Sequence, residues 1–120
     1  MKVLNDELGQ FYGTEQYYNH PLFKQVVYTD GVRYLRTLGL NWFVDKVMAE
    51  LPHVPLDEVR SIELIKIDEK DNFVVRYKDE DEVHETEPFW SDFDYDKLLL
   101  FVGESPFASS KYVVLLPSEY

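Results

Sequence analysis

The sequence predicts an α+β fold, with N-terminal helices over about residues 4–20 and 29–51 packed on a C-terminal antiparallel sheet of four to five strands. Three observations predict it. Apolar residues recur at helical spacing before Pro52, and the pattern becomes β-branched and alternating after Pro55. The 45% hydrophobic and 16% aromatic content then supplies bulk for one core. A chain of 120 residues has single-domain size, and no repeat or linker divides it, so residues 1–120 read as one domain.

Leu4, Leu8, Phe11 and Tyr12 lie at near-helical spacing, after which Gly13-Thr14-Glu15 reads as a break and a new N-cap. A short helical turn through Tyr17-Tyr18 should stop at His20-Pro21, because a proline pushes the residue before it out of the α region. Residues 22–28 show no clean period and read as irregular or short extended chain. Thr29-Asp30-Gly31 offers two side chains that can accept from the free N–H groups of a helix start, and Val32, Leu35 and Leu38 follow on one face. Gly39 stands where a left-handed helix end belongs, and Asn41 is placed to cap a second helix. Phe43, Val47 and Leu51 form the stripe of that helix up to Pro52.

Ser61–Ile67 and Asn72–Lys78 alternate as a hairpin about the polar turn Asp68-Glu69-Lys70-Asp71. Phe73, Val75 and Tyr77 share one face of the second strand. A short strand is expected near Val83. The continuous apolar runs Lys97–Val102 and Tyr112–Leu116 predict more deeply buried strands, joined by 103–110.

The chain has no cysteine, which removes disulfides, thiolate metal sites and a Cys nucleophile, and fits a reducing cytoplasm. The N-terminus turns acidic before an apolar signal core forms, and the longest apolar run is too short to cross a bilayer, so neither secretion nor a membrane is expected. A net charge of −11 argues against direct nucleic-acid binding, whose affinity comes largely from Lys and Arg displacing counterions. The charge is local: residues 68–96 carry twelve acids against three bases, and the rest of the chain is close to neutral.

No motif names a reaction, and no catalytic residue, cofactor or metal is assigned. The acidic runs lack the mid-loop glycine and distal glutamate of an EF-hand, and His20, His53 and His84 are scattered singly. There is no Gly-x-Ser-x-Gly and no Gly-rich phosphate loop. Two readings remain for the acidic segment. Its charge can keep a sheet edge in water, or Asp79, Glu80, Asp81, Glu82, Glu85, Glu87, Asp92, Asp94 and Asp96 can form a partner-binding row that imitates a phosphate backbone. Phe89, Trp90, Phe93 and Tyr95 are then its candidate aromatic anchors, Trp90 among the binding residues. A separate candidate is a small-ligand or enzyme pocket built from Tyr17, Tyr18, His20, Thr29 and Asp30, with an anion on the helix start.

The segments Phe11-Tyr12-Gly13-Thr14-Glu15-Gln16-Tyr17-Tyr18-Asn19-His20-Pro21-Leu22, Tyr28-Thr29-Asp30-Gly31-Val32-Arg33-Tyr34-Leu35 and Leu116-Pro117-Ser118-Glu119-Tyr120 resemble a domain-of-unknown-function family of small bacterial, plasmid and phage-borne proteins. Asn41-Trp42-Phe43 and Ser91-Asp92-Phe93 stand at further signature positions. The resemblance implies a small intracellular protein encoded by or near mobile DNA, and transfers no activity or catalytic residue. The leading expectation is a non-enzymatic acidic interaction protein, an inhibitor that blocks a nucleic-acid-binding host defence protein by presenting its carboxylates to that basic surface. The alternatives are the ligand pocket or unrecognised enzyme, and a structural homo-oligomeric subunit.

Overall fold

The structure, a computed structural model, describes residues 2–11, 16–19, 22–107 and 110–120. A 3-10 turn at Leu4–Glu7, strand β1 at Tyr17–Asn19 and strand β2 at Val26–Thr29 come first. Helices α1 (Asp30–Thr37) and α2 (Asn41–Glu50) follow, then a 3-10 turn at Leu51–His53. The remaining strands are β3 (Ser61–Lys66), β4 (Asn72–Lys78), β5 (Val83–Glu85), β6 (Phe89–Trp90), β7 (Lys97–Glu104) and β8 (Tyr112–Leu115), with a last 3-10 turn at Pro117–Glu119. The fold is α+β as predicted, but the helices sit mid-chain and the sheet has eight strands among the described residues.

The strand order is β1-β2-β8-β7-β3-β4-β5, with β6 also paired to β4. All pairs are antiparallel except β2 with β8, which run parallel. β2 is buried at every position, and this explains its missing period: a strand covered on both faces carries no polar alternation. Tyr17-Tyr18 belongs to edge strand β1 and not to a helical turn; Tyr18 stacks on Tyr28 of β2 with ring centroids 5.7 Å apart. Leu4 and Leu8 are buried as their spacing suggested, yet the described part of the predicted first helix holds a 3-10 turn and strand β1 in place of an α-helix. The Asn5 side chain explains why this segment lies flat. Its amide donates to Leu99 O at 2.8 Å and accepts from Leu99 N–H at 2.7 Å, taking the place of a neighbouring strand beside the first half of β7.

The helix pair falls within the 29–51 region, and Gly39 has φ +82°, the left-handed value expected at a helix end. Asn41 does not cap α2; it is the first helical residue, and its side chain accepts from Arg36 at 3.1 Å. The hairpin β3–β4 turns where predicted. Asp68 accepts from the N–H of Lys70 and Asn72, which fixes the turn, and Asp71 takes φ 61°.

One face of the sheet meets the helices: Ile62, Leu64, Phe73, Val75, Tyr77, Leu98, Leu100 and Val114 form one core with Val32, Leu35, Phe43, Val47 and Met48. On the other face Val27, Val113 and Leu115 cluster with Phe101, which Tyr120 meets edge-on at 5.6 Å. β7 therefore alternates in burial although its sequence is continuously apolar, because Leu99 and Phe101 point to this second face.

Candidate functional site

β5 is an edge strand, opposite Arg76, Tyr77 and Lys78 of β4. The Asp79 N–H donates to Glu82 O at 3.0 Å, which closes the chain into a turn before β5. Glu80, Asp81, Glu82, Glu85, Glu87, Asp92 and Asp94 are exposed, while Asp79 and Asp96 are half-buried. The expected single row does not form. The stretch holds only the short strands β5 and β6, so the acids divide between the 79–87 edge and the 92–96 segment that follows β6.

Three of these acids have structural duties, and Asp79 is one, accepting the Glu80 N–H at 2.6 Å. Glu85 pairs with Arg76 at 2.6 Å across the strands. Asp96 accepts the Lys2 backbone N–H at 2.7 Å and lies 3.8 Å from Lys66, contacts that hold its carboxyl below the usual range. Of the four expected anchors only Trp90 projects freely, at 67% exposure. Phe93 is buried against Phe73, Phe89 packs on Trp42, and half-buried Tyr95 lies tilted against Phe93 and donates its hydroxyl to Glu7.

The 92–96 segment faces the turn between α1 and α2. Leu4, Leu40, Trp42, Phe93 and Tyr95 enclose a cleft of about 370 Å³ there, and Asp92 and Asp94 stand on its lining. Two segments that carried the family resemblance, around Trp42 and around Asp92-Phe93, thus meet at one place. In the sequence Trp42 stands out only as a signature position of that resemblance. Its approach to Asp92 depends on the β4–β6 pairing, which two strand residues cannot announce.

The expected Tyr-His pocket is organised differently. Tyr18 donates to Asp30 at 2.9 Å, and Arg33 reaches the Tyr18 hydroxyl at 3.0 Å while its guanidinium lies 4.5 Å from that ring's centroid. Tyr17 points elsewhere and meets Phe107 edge-on at 5.5 Å. Thr29 is buried, and His20 lies outside the described residues. The start of α1 does receive an anion, and it is the chain's own Glu119. That buried carboxylate accepts from the Thr29 hydroxyl at 2.6 Å, the Gly31 N–H at 3.1 Å and the Leu116 N–H at 3.0 Å. A Cβ at Gly31 would lie 2.5 Å from both Glu119 Oε1 and Leu116 Cδ1, so any larger residue here must displace those buried side chains.

Two further carboxylates escaped the sequence reading. Glu63, 4% exposed on β3, is held by Lys78 and by Lys97 at 3.0 Å. Burial pushes its carboxyl up, but the hydrogen bonds and charges of the two lysines outweigh this and leave it below the ordinary range. Glu50 accepts from the Tyr77 hydroxyl at 2.8 Å; burial first, then the Glu50 charge, push that phenol far up and keep it protonated. His53 and His84 line a cleft of about 250 Å³ beside this pair. Among the described residues no group of three or more His, Asp or Glu side chains is arranged to hold a metal ion. None of their helices is long and apolar enough to cross a membrane.

Fold and site define a small α+β protein with a charged sheet edge and an internally capped helix. Residues 2–120 match the model of a family of unknown function, DUF6876, and the chain belongs to that family. Comparisons with curated proteins and with solved structures found no match.

Proposed function

We propose that the protein is a non-enzymatic interaction protein whose acidic edge binds a basic protein surface, and that it acts as an inhibitor by occupying the groove of a nucleic-acid-binding protein, such as a host defence protein met by a phage or mobile element. The observation that carries this reading is the setting of Trp90. It is 67% exposed and lies between the acidic 79–87 edge and the acidic 92–96 segment. Tryptophan is enriched among the residues that carry most of the energy of protein interfaces. Charge that only kept an edge in water would not need it. Carboxylates on both sides would steer a basic partner and orient it.

The test replaces Glu80, Glu82, Glu85 and Glu87 together by lysine. The native chain is expected to capture a nucleic-acid-binding protein from lysate of its host and to displace that protein from DNA or RNA in a gel-shift assay. The variant should do neither. Capture and displacement that survive the charge reversal would end the proposal.

A further inference from the structure

We propose that the cleft between the α1–α2 turn and the 92–96 segment receives an arginine side chain of the basic partner; this rests on the interaction reading above and names the group that partner presents. Three features of the cleft argue for a guanidinium.

The first is the chemistry of the lining. Trp42, Phe93 and Tyr95 supply aromatic surface and Leu4 and Leu40 an apolar floor, while Asp92 and Asp94 supply the charge. Aromatic faces attract a cation through their quadrupole, and a planar guanidinium also stacks on them and donates in a fork to carboxylates. An anion would meet two like charges here, and a neutral apolar group would strand both carboxylates. The second is availability. Asp92 and Asp94 are exposed, and neither has an ion-pair partner among the described residues, unlike Glu63, Glu85 and Asp96. The third is precedent within the molecule: Lys2 already places its ammonium 4.6 Å from the Tyr95 ring centroid, so this aromatic cluster tolerates a cation. The volume of about 370 Å³ lies at the low end of ligand pockets, roughly 300–1,000 Å³. It suits one long side chain and not a helix or strand.

The probe is the tripeptide acetyl-Gly-Arg-Gly-amide, titrated into the isotopically labelled full chain by NMR, with the lysyl and citrullyl tripeptides in parallel. Saturable shifts are expected at the Trp42 indole N–H and the amides of 92–95, with the Trp90 indole unmoved. The lysyl peptide should bind more weakly, and the citrullyl peptide, which keeps the shape without the charge, should give no response. Asp92→Asn with Asp94→Asn should weaken arginine binding by about tenfold or more, the factor for losing charged hydrogen bonds, and should leave resonances of the core unchanged. Equal binding of the citrullyl or lysyl peptide, absence of saturable shifts at Trp42, or unchanged affinity in the double variant would each overturn the assignment. Partner capture by the Asp92→Asn, Asp94→Asn protein together with failure of the arginine peptide would refute the cleft alone. Insensitivity of capture to lysine at 80, 82, 85 and 87 would refute the broader reading.

Discussion

Removing the Glu119 carboxylate should cost the protein far more than its place near one end of the sequence suggests. Glu119→Ala leaves the N–H groups of Gly31 and Leu116 and the Thr29 hydroxyl, now bonded at 3.1, 3.0 and 2.6 Å, without their acceptor in a buried site. Each buried unsatisfied donor costs roughly 1–3 kcal/mol, and the hydroxyl can rotate toward another acceptor, so the expected loss is about 3 kcal/mol. With a urea slope of about 2 kcal/mol/M, the unfolding midpoint should fall by about 1.5 M. Gly31→Ala reaches the same site from the other side. Helix propensity alone predicts a gain of about 1 kcal/mol for alanine at this position. The 2.5 Å approach of the new Cβ to Glu119 Oε1 and Leu116 Cδ1 predicts instead a loss of about 1–3 kcal/mol. Because both changes dislodge one carboxylate, the double variant should lose less than the two single losses combined, by at least about 1 kcal/mol. Urea unfolding followed by circular dichroism measures all three. Strict additivity, or a cost for Glu119→Ala under about 0.5 kcal/mol, would refute the role given to this carboxylate.

Two other changes test the fold from the sequence upward. The Glu63 carboxyl is held below its ordinary value by Lys78 and Lys97, so its stabilising contribution is complete above the unfolded-state pKa of about 4.3 and disappears as pH falls through the lower folded value. Unfolding free energies measured from pH 6 down to pH 3 should therefore fall less steeply in Glu63→Gln than in the native chain; equal slopes would show that Glu63 is not a source of the acid sensitivity. Asn5→Ala removes two short hydrogen bonds to the Leu99 backbone and should cost about 1–2 kcal/mol, with faster amide exchange at Leu99. Unchanged exchange there would argue against the strand-like role of the Asn5 side chain.

The parts of the fold that sequence made legible are those whose signal is local. The β3–β4 hairpin shows because one buried face imposes a period of two, and the α1–α2 pair shows because Gly39 and the apolar spacing lie within a single helical repeat of each other. β2 was illegible for the opposite reason, since cover on both faces erases the period. Tyr17-Tyr18 read as helix because two adjacent aromatics carry no period at all. The acidic segment was visible in composition, but its division into an edge and a cleft wall depends on how β5 and β6 share β4. Glu119 was unreadable as an anion for α1 because its partners Thr29 and Gly31 stand 90 and 88 positions away.

That separation bears on how the chain reaches its native state. The start of α1 has no side-chain cap from Thr29, and β2 depends on β8 for its parallel partner. Both debts are settled by residues 112–119. A helix of eight residues is too short to persist alone in water, so α1 depends on its packing against α2 and β2 and on the Glu119 carboxylate at its start. Contacts between residues 26–31 and 112–119 can form only once the chain between them has closed into a loop, an entropic cost that grows with loop length.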